Sequence, residues 1–426
     1  MDKKLLDDCF LSDRPRLRHE QALAILRERV QPVVGVERVG LAAALNRILV
    51  DPVVASQDVP AHTNAAVDGY SFAAADYRAD VGATLALGGR AAAGHPLSAA
   101  PEPGTAVRIF TGAVMPLGHD TVAMQEDTQP RLEQERAVVS IPGGLKPNAN
   151  VRKAGEDVEA GETVLGAGSL LRPQDLAALA ALGLGEVACY ARLKVAILAS
   201  GDEIVRPGGA LKPGQVYDAN TPMLMGLISA AGAEVVDLGV LPDDAETVRR
   251  RLADTAAAYD VIITSGGASR GEEDHLAAAL DALGKRHLWQ LAIKPGRPMS
   301  FGQIGNAVVV GLPGNPVAVF VCFLIYVWPM LRRLGGAPWP EPRRLRLPAH
   351  FAFPQRKLGR REFWRGTLVP APQGWGVVKF PRDGSGLISG LRAADGLIEI
   401  PEDVAEVNWG DPVAFLPFAE FGIANR

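Results

Sequence analysis

The stretches RLKVAILASGDE (192–203), DVIITSGGASRGEED (260–274) and NAVVVGLPGNPV (306–317) decide the fold of the central part of this chain. Each begins as a short apolar run and ends in glycine, proline, serine or acidic residues. Runs with a helical pattern lie between them, for example TPMLMGLISAAGA (221–233), for which Asn220 or Thr221 is the expected N-cap. This βαβαβα order predicts an open, mostly parallel α/β domain of three layers over residues 191–337. Ligands bind such sheets outside the carboxyl ends of the strands.

The flanking sequence predicts three more regions, so the expected fold class is multidomain α/β plus β. Residues 53–144 hold short apolar runs broken by turn residues, which favours a β-rich domain. Residues 338–426 show the same pattern of short apolar runs and turn residues, which predicts a small C-terminal β-barrel. Residues 1–52 and 145–190 carry helical patterns, including one near 41–48, and short strand pieces; we expect one discontinuous N-terminal domain that mediates dimerisation or linkage.

Composition excludes several classes of protein. The formal net charge is −4 over 426 residues, which argues against general nucleic-acid binding. The cysteines at positions 9, 189 and 322 have no metal-ligand spacing, and with the acidic start of the chain they favour a reduced cytoplasmic location. The apolar stretch 316–331 is too short to span a bilayer, so it predicts a buried helix and no membrane partner.

The strand ends of the central domain predict an anion site. Glycines allow backbone N–H groups to approach an oxyanion closely, and serine hydroxyls add donors. A single such loop is often structural, but three at one sheet edge favour a phosphate-bearing ligand. The residues of this predicted site are Ser200, Gly201, Ser265, Gly266, Gly267, Ser269, Pro313, Gly314, Asn315 and Pro316.

Charged residues lie near the same edge. Lys294 and Arg297 occupy the proline-stiffened segment AIKPGRP, which predicts an anion clamp more than a solvated loop. Several acids are also expected there: Glu203, Asp243, Asp244 and Asp274. Carboxylates beside a phosphate are unfavourable unless a divalent cation such as Mg²⁺ bridges them. For Asp243 and Asp244 a pair of helix N-cap residues is the alternative.

Separated motifs in one order resemble the molybdopterin molybdenumtransferases of molybdenum-cofactor biosynthesis, the MoeA family, which is related to the E domain of gephyrin. They cover nearly the whole chain: NAAVDGY (64–70), RIFTGAVMP (108–116), VAMQEDT (122–128), RKAGEDV (152–158), SGDEI (200–204), GQVYDANTPML (214–224), TSGGASRGEEDH (264–275), AIKPGRP (292–298), GLPGNPV (311–317) and GSGLISGLRAADGLIEIP (384–401). The segment before VDGY departs from the usual pattern at positions 61–67, which affects the expected local packing more than the chemistry.

The resemblance implies an enzyme that takes adenylylated molybdopterin and molybdate with Mg²⁺, inserts molybdenum into the dithiolene and releases AMP. It also implies a homodimer in which the β-rich domain of one subunit faces the α/β domain of the other. A separate molybdopterin adenylyltransferase would supply the substrate. Matching positions give the expected functional acids and hydroxyl: Asp68, Thr111, Asp157, Glu203, Asp243 or Asp244, and Asp274.

The resulting hypothesis assigns roles. Gly266, Gly267 and the 311–316 turn hold the phosphate or pyrophosphate; Glu203 and Asp274 hold Mg²⁺, and Lys294 stabilises charge during phosphoanhydride cleavage. Molybdate is expected in a separate basic pocket with Arg297, Ser300 or Arg365. Two alternatives stay open: an adenylyltransferase-like enzyme that shares only the central fold, and a gephyrin-like scaffold. Whether tungstate replaces molybdate, and what the final form of the cofactor is, stays open too.

Overall fold

The computed structural model describes residues 16–242, 244–266, 275–372 and 374–424. The described chain divides into two units. The first unit contains the residues up to Arg38, Asn46–Val50 and the chain from Ala188 onward. The second unit contains Val39–Leu45 and Asp51–Val187.

The elements up to residue 190 are short. In chain order they are α1 (His19–Arg29), β1 (Val36–Gly40), β2 (Val53–Val54), β3 (Asn64–Ala65), β4 (Gly69–Phe72), β5 (Ala83–Ala91), β6 (Thr105–Ile109), β7 (Thr121–Met124), β8 (Gln129–Glu133), β9 (Arg136–Ile141), β10 (Val151–Arg152), β11 (Thr163–Leu165), α2 (Pro173–Ala181) and β12 (Glu186–Tyr190). The helix expected near 41–48 is wrong, since only a 3-10 turn, Leu41–Ala43, forms there.

The second unit is built on a six-stranded sheet in the order β7-β4-β6-β5-β9-β8. Strands β5 and β6 run parallel and the other neighbours antiparallel. Both faces are covered by apolar side chains, with Phe72 and Val139 on one face and Val107 and Ile109 on the other. This sheet confirms the β-rich part of the predicted fold class.

The first unit continues from residue 191. Its elements are β13 (Lys194–Ser200), β14 (Ile204–Val205), β15 (Val216–Tyr217), α3 (Asn220–Ala230), β16 (Glu234–Leu241), α4 (Ala245–Ala258), β17 (Val261–Ser265), α5 (His275–Leu283), β18 (Lys285–Gln290), β19 (Ile293–Lys294), β20 (Pro298–Ile304), β21 (Ala307–Leu312), α6 (Pro316–Cys322), α7 (Trp328–Leu334), β22 (Leu345–Pro348), β23 (Arg361–Ala371), β24 (Gly374–Lys379), α8 (Ile388–Ala393), β25 (Gly396–Ile400) and β26 (Pro412–Pro417). A π-helical turn, Phe323–Val327, joins α6 to α7.

The central sheet has the order β16-β13-β17-β21-β20-β18. Strands β16, β13, β17 and β21 are parallel, as predicted. Strands β20 and β18 add an antiparallel edge, because β20 forms hairpin-like pairings with both neighbours. The sequence did not predict β20, whose Gly302 allows close approach to Leu280 and to the Lys285 carbonyl.

The C-terminal strands form the predicted small barrel. Strands β24, β23, β25, β26 and β22 are consecutive antiparallel neighbours. A bridge between Ala349, which follows β22, and Val377 of β24 closes the ring. The short strand β19 pairs in parallel with β23, which ties the barrel to the end of the central region.

The apolar helical stretch Pro316–Leu334 lies in the main core of the first unit. It is the one described helix whose length and hydropathy suit a membrane span, and 89% of its most apolar window is buried inside the structure. One core cluster contains this stretch together with Leu26 of α1, Val195 of the central sheet and Leu416 of the barrel. It is therefore a core helix, in agreement with the sequence prediction.

Candidate active site

A cavity of about 600 Å³ lies where the carboxyl ends of the central strands meet the C-terminal barrel. Its walls come from both parts of the first unit: Gly266, 294–298, 313–315, 317–318, 363–365, 379–380 and 383–385. Of the predicted residues, seven line it: Gly266, Lys294, Arg297, Pro313, Gly314, Asn315 and Arg365. Among the described lining residues, four are cationic and only Asp383 is acidic. An anion is the ligand that this charge favours.

A polar network fixes the two strand-end loops of the cavity. The Asn220 side-chain amide donates to Ser265 Oγ at 2.8 Å and to the Gly314 carbonyl oxygen at 2.7 Å. Asn220 is buried, and these bonds tie the end of β17 to the loop after β21. Both N–H donors of the amide have partners, while its Oδ1 has none among the described residues, so the two donated bonds fix the position of the side chain. The sequence analysis did not assign this bridging role to Asn220.

Asp218 holds the start of α3 and thereby Asn220. Its Oδ1 accepts the backbone N–H groups of Asn220 at 3.1 Å and Thr221 at 3.0 Å, and Oδ2 accepts the Thr221 hydroxyl and Arg206. The sequence predicted Asn220 or Thr221 as the cap of this helix. That prediction is wrong, because the carboxylate one turn earlier reaches the free N–H groups.

The ammonium group of Lys294 lies near two carboxylates. Its Nζ lies 3.7 Å from Glu362 Oε2 and 4.0 Å from Asp383 Oδ2. Glu362 is 1% exposed and also accepts the Trp364 indole N–H at 2.9 Å and Arg360 Nε at 2.9 Å. A buried carboxylate with several donors is a rigid anchor. Lys294 is thus held at the wall of the cavity while 40% of its side chain stays exposed.

The turn after Lys294 requires glycine. Gly296 has φ +106°, and a Cβ there would collide with Sγ of the buried Cys322. This close approach places Arg297, which is exposed, at the cavity. The Arg297 guanidinium has no hydrogen-bond or ion-pair partner within the part of the chain that the structure describes. The predicted stiff basic turn therefore keeps a cation with open donors.

The barrel contributes a second pair of cations. Arg365 donates to the carbonyl oxygens of Leu387 at 3.0 Å and Arg382 at 2.8 Å, and its Cζ lies 4.9 Å from the centre of the Phe380 ring. Burial lowers the pKa of Arg365 from its usual value, with Asp383 opposing that effect. Because Arg365 is anchored by carbonyls, its remaining donors keep a fixed direction.

Lys379 and Asp383 also line the cavity from the side of the barrel, and they bind each other. Lys379 Nζ donates to Asp383 Oδ1 at 2.8 Å. Burial raises the pKa of Asp383, but the Lys379 hydrogen bond and the charges of Lys379, Lys294 and Arg365 outweigh it, so the pKa lies below its usual value. Asp383 is therefore ionised near neutral pH and partly balances the cations when no ligand is bound.

Other predicted residues do not line this cavity. Ser200 lies beside Gly266, since a Cβ on Gly266 would be 3.1 Å from Ser200 Oγ. The Glu203 carboxylate folds over Gly201. Ser265 is buried and bonded to Asn220, Ser300 is buried in β20, and Pro316 begins α6. These residues support the loops around the cavity.

Some predicted residues lie outside the described part of the chain. They are Asp243, Gly267, Ser269 and Asp274. Asp244 is described, and its side chain accepts the Thr247 N–H at 2.8 Å as the N-cap of α4, the structural alternative foreseen for it. Among the described residues, no group of three or more His, Cys, Asp or Glu could hold a metal ion. Glu203, the described half of the expected Mg²⁺ pair, has the carboxylate chemistry that such an ion needs.

The second unit brings Asp68 and Thr111 together. Asp68 Oδ1 accepts the Thr111 backbone N–H at 2.8 Å and the Thr111 hydroxyl at 2.7 Å. These two bonds, with a smaller effect of Arg108, lower the pKa of the Asp68 carboxyl. The structure therefore brings these two predicted residues together. Asp157 is exposed in a turn, and its side chain makes no hydrogen bond to Asp68 or Thr111.

Several cavity residues were not predicted from the sequence. They are Phe363, Trp364, Lys379, Phe380, Asp383, Gly384 and Ser385. The one available signal was the GSGLISGL segment among the matching motifs, which begins at Gly384. Phe363, Trp364 and Lys379 belong to barrel strands whose local pattern indicates only strand, and Phe380 and Asp383 lie in the loop that follows β24.

Comparisons with known proteins agree with this architecture. Three family models match: "MoeA N-terminal region (domain I and II)" at 17–183, "Probable molybdopterin binding domain" at 196–333 and "MoeA C-terminal region (domain IV)" at 346–418. A structure of the molybdopterin biosynthesis MoeA protein from Pyrococcus horikoshii has TM-score 0.79 and 31% identity, covering 95% of this chain and 99% of that one.

Curated relatives point the same way. The molybdopterin molybdenumtransferase of Haemophilus influenzae is 36% identical over 401 residues, 94% of this chain and 98% of that protein. The one from Nostoc sp. is 37% identical over 394 residues, 89% of this chain and 88% of the relative. Gephyrin of Dictyostelium discoideum is 29% identical, over 74% of this chain and 49% of gephyrin.

The fold, together with the match to the probable molybdopterin binding domain, defines a protein of the molybdopterin-binding class with an additional small C-terminal barrel. Within that class, the chain belongs to the MoeA family of molybdopterin molybdenumtransferases. The resemblance read from the separated motifs is confirmed.

Proposed function

We propose that this protein is a molybdenum insertase, which transfers molybdenum from molybdate into adenylylated molybdopterin with release of AMP in molybdenum-cofactor biosynthesis. The proposal rests on the cavity with Lys294, Arg297, Arg365 and Lys379 in a chain of the MoeA family. Molybdate is a compact dianion, and charge-assisted hydrogen bonds from anchored cations suit it. A partly enclosed site strengthens these contacts relative to water.

We propose that this one cavity binds both molybdate and the phosphate group, in place of the separate molybdate pocket expected from the sequence, because Arg297 and Arg365 line it together with the strand-end loops. Arg297 has open donors and Arg365 is fixed by carbonyls, so these two are the proposed molybdate ligands. Ser300, the third residue considered from sequence, is buried in its strand. The loops at Gly266 and 313–315 surround the phosphate group. The proposed backbone donors are the N–H groups of Gly314 and Asn315, because the Gly266 N–H donates to the Leu312 carbonyl oxygen at 3.1 Å. Lys294, held by Glu362, stabilises the negative charge that develops as the phosphoanhydride is cleaved.

Further elements of the proposal come from the resemblance. Glu203 and Asp274 would hold Mg²⁺, which supplies charge neutralisation at the phosphates. Asp68 with Thr111, Asp157 and Asp243 complete the proposed catalytic set. The proposal also includes a homodimer, a separate adenylyltransferase that supplies the substrate, and a cytoplasmic location.

The test mixes the purified protein with adenylylated molybdopterin, molybdate and Mg²⁺ and follows AMP. Release that requires molybdate is the expected result. AMP release at the same rate without molybdate would count against an insertase. Formation of pyrophosphate from ATP and molybdopterin would instead indicate an adenylyltransferase. Omitting Mg²⁺ in a parallel reaction tests the metal requirement separately.

A further inference from the structure

Two arginines stack on one aromatic ring in the second unit. The Cζ atoms of Arg90 and Arg108 each lie 4.7 Å from the centre of the Phe110 ring, and Arg108 Cζ lies 5.0 Å from the centre of the Tyr70 ring. We name Arg90, Phe110 and Arg108 the arginine stack. Cation–π contacts restrict where a guanidinium can lie, which preorganises its donors.

A β-bulge in β5 sets the two arginines side by side. The pairing of β5 with β6 skips Gly88, so that Arg90 lies opposite Arg108. In an unbroken ladder Arg90 would lie opposite Ile109 and face the other side of the sheet, because a shift of one residue reverses the faces. Like charges directly opposite each other destabilise a sheet. This register therefore favours the binding of an anion between them.

The two guanidinium groups differ in what they already bind. Arg108 donates to the Gly69 carbonyl oxygen at 3.0 Å and to Gln125 Oε1. Arg90 is exposed, and apart from the Phe110 ring its guanidinium has no hydrogen-bond or ion-pair partner among the residues described for this unit. Arg90 thus offers all its N–H donors to a ligand.

Two acids, Asp68 and Glu126, lie near the arginine stack. Asp68 affects Arg108 only through its charge, since no ion pair within 4.0 Å joins them, and its Oδ1 is occupied by Thr111. Glu126 accepts a hydrogen bond from Gln125 at 3.2 Å. Counting Arg90 and Arg108 against Asp68 and Glu126 leaves no net charge, so the open donors of Arg90, and not an excess of positive charge, are what the structure offers to a ligand.

We propose that the arginine stack binds a phosphate group of the phosphate-bearing substrate beside Asp68 and Thr111. Arg90 supplies the free donors, Arg108 supplies charge, and Phe110 holds both guanidinium groups. This assigns substrate binding to a surface of the second unit in addition to the cavity of the first. The inference rests on the proposed function for the identity of the substrate.

Arginine modification provides a local test on the unaltered protein. Phenylglyoxal reacts with accessible guanidinium groups, and peptide mapping by mass spectrometry reports each position separately. We expect inorganic phosphate, pyrophosphate or AMP to slow modification of Arg90. Arg131, exposed in β8 of the same sheet and paired with Glu133, is the internal control and should react at an unchanged rate.

The three anions distinguish the source of the phosphate. Protection by all three supports a general phosphate site, and protection by AMP alone supports a site for the nucleotide phosphate. Equal rates at Arg90 with and without each anion would overturn the inference.

Variants extend the test to the reaction. Arg90→Gln should raise KM for adenylylated molybdopterin about tenfold, the loss expected for a charge-assisted hydrogen bond, with little change in kcat. Arg131→Gln is the matched control and should match wild type. Wild-type KM for Arg90→Gln would contradict the inference while leaving the insertase proposal intact. If wild type shows no AMP release, the proposed function fails, and the protection experiment still decides whether Arg90 binds phosphate.

Discussion

Lys294 is the residue on which the cavity chemistry depends most directly. Because Glu362 fixes its ammonium group, the charge is in place before substrate arrives. We predict that Lys294→Met lowers kcat for AMP release about 100-fold, the effect expected for one preorganised charge. Glu362 keeps Arg360 as a partner, so the fold should persist. Steady-state kinetics give the measurement.

The control for this variant is Lys212→Met, which removes an exposed lysine that does not line the cavity. It should retain wild-type kcat. Near-wild-type activity of Lys294→Met would remove Lys294 from the mechanism, and a changed circular dichroism spectrum would show that the variant had lost structure instead.

His19 gives a pH prediction. Burial, with the charges of Arg361 and Arg344, lowers its pKa from 6.5 to about 3. The unfolded chain then binds a proton below pH 6.5 that the folded chain does not bind, so stability falls as the pH drops toward 3. The slope is up to about 1.4 kcal/mol per pH unit.

The free energy of urea unfolding, measured across this pH range, tests that slope. His19→Gln should be less stable at neutral pH, because the contact with Tyr326 changes, but should show a shallower fall toward acid. His95→Gln, at an exposed position, should keep the wild-type slope. Parallel profiles for wild type and His19→Gln would contradict the assignment.

At the residue level, sequence predicted the groups that lie in short motifs. Lys294, Arg297 and the 313–315 turn all line the cavity as expected. Trp364 and Lys379 could not be predicted, because their strand pattern carries no sign of a ligand and only the closure of the barrel brings them to the cavity. The position of Arg90 likewise depends on a bulge at Gly88, which the hydrophobic pattern does not reveal.

Helix α3 links stability to the active site through its first turn. Asp218 caps the helix and pairs with Arg206, and Asn220 in that turn ties the two strand-end loops together. We predict that Asp218→Ala costs about 3 kcal/mol of unfolding free energy, as for breaking a buried ion pair. It should also raise KM, because Asn220 would no longer be held in place to hydrogen-bond Ser265 and Gly314. Urea unfolding and kinetics measure the two effects.

Asp175 offers a matched comparison in the second unit. It is buried, accepts the Arg172 backbone N–H at 2.8 Å at the start of α2 and pairs with the Arg172 side chain. Asp175→Ala should lose stability without a change in KM. If both variants raise KM equally, the loss of the Asn220 hydrogen bonds does not explain the kinetic effect of the Asp218 substitution.

Element order was largely predictable, whereas element pairing was less so. The parallel strands, the buried Pro316 helix and the barrel strands follow from hydrophobic period and turn residues. The antiparallel edge at β20 and β18 was not predicted, since β20 begins at a proline and contains Gly302. The cap of α3 was misassigned because Asp218, Asn220 and Thr221 are all polar and sequence does not say which one reaches the N–H groups.

For the whole molecule, the proposed homodimer makes a quantitative prediction. If Asp68 of one subunit acts with Lys294 of the other, Asp68→Asn and Lys294→Met chains should complement each other. Random mixing yields half heterodimers, each with one intact site, so activity should reach about a quarter of wild type. The measurement is AMP release after the two inactive variants are unfolded together and refolded.

The control refolds each variant alone, which should stay inactive. A mixture as inactive as its components would show that the groups act within one chain, provided that light scattering finds a dimer. A monomer near 45.0 kDa would contradict the dimer itself.

The buried helical stretch Pro316–Leu334 bears on how such proteins can be divided and recombined. The Phe320 ring of this stretch packs on the Phe418 ring with the ring centroids 5.1 Å apart, and the Trp328 ring packs on the Phe421 ring with the centroids 5.0 Å apart. A chain cut after the α/β region would leave these apolar rings in water and promote aggregation. A freestanding version of this α/β region would need polar replacements on that helix before gene truncation could yield a soluble product. In this lineage, the α/β region and the barrel are therefore expected to be inherited as one module.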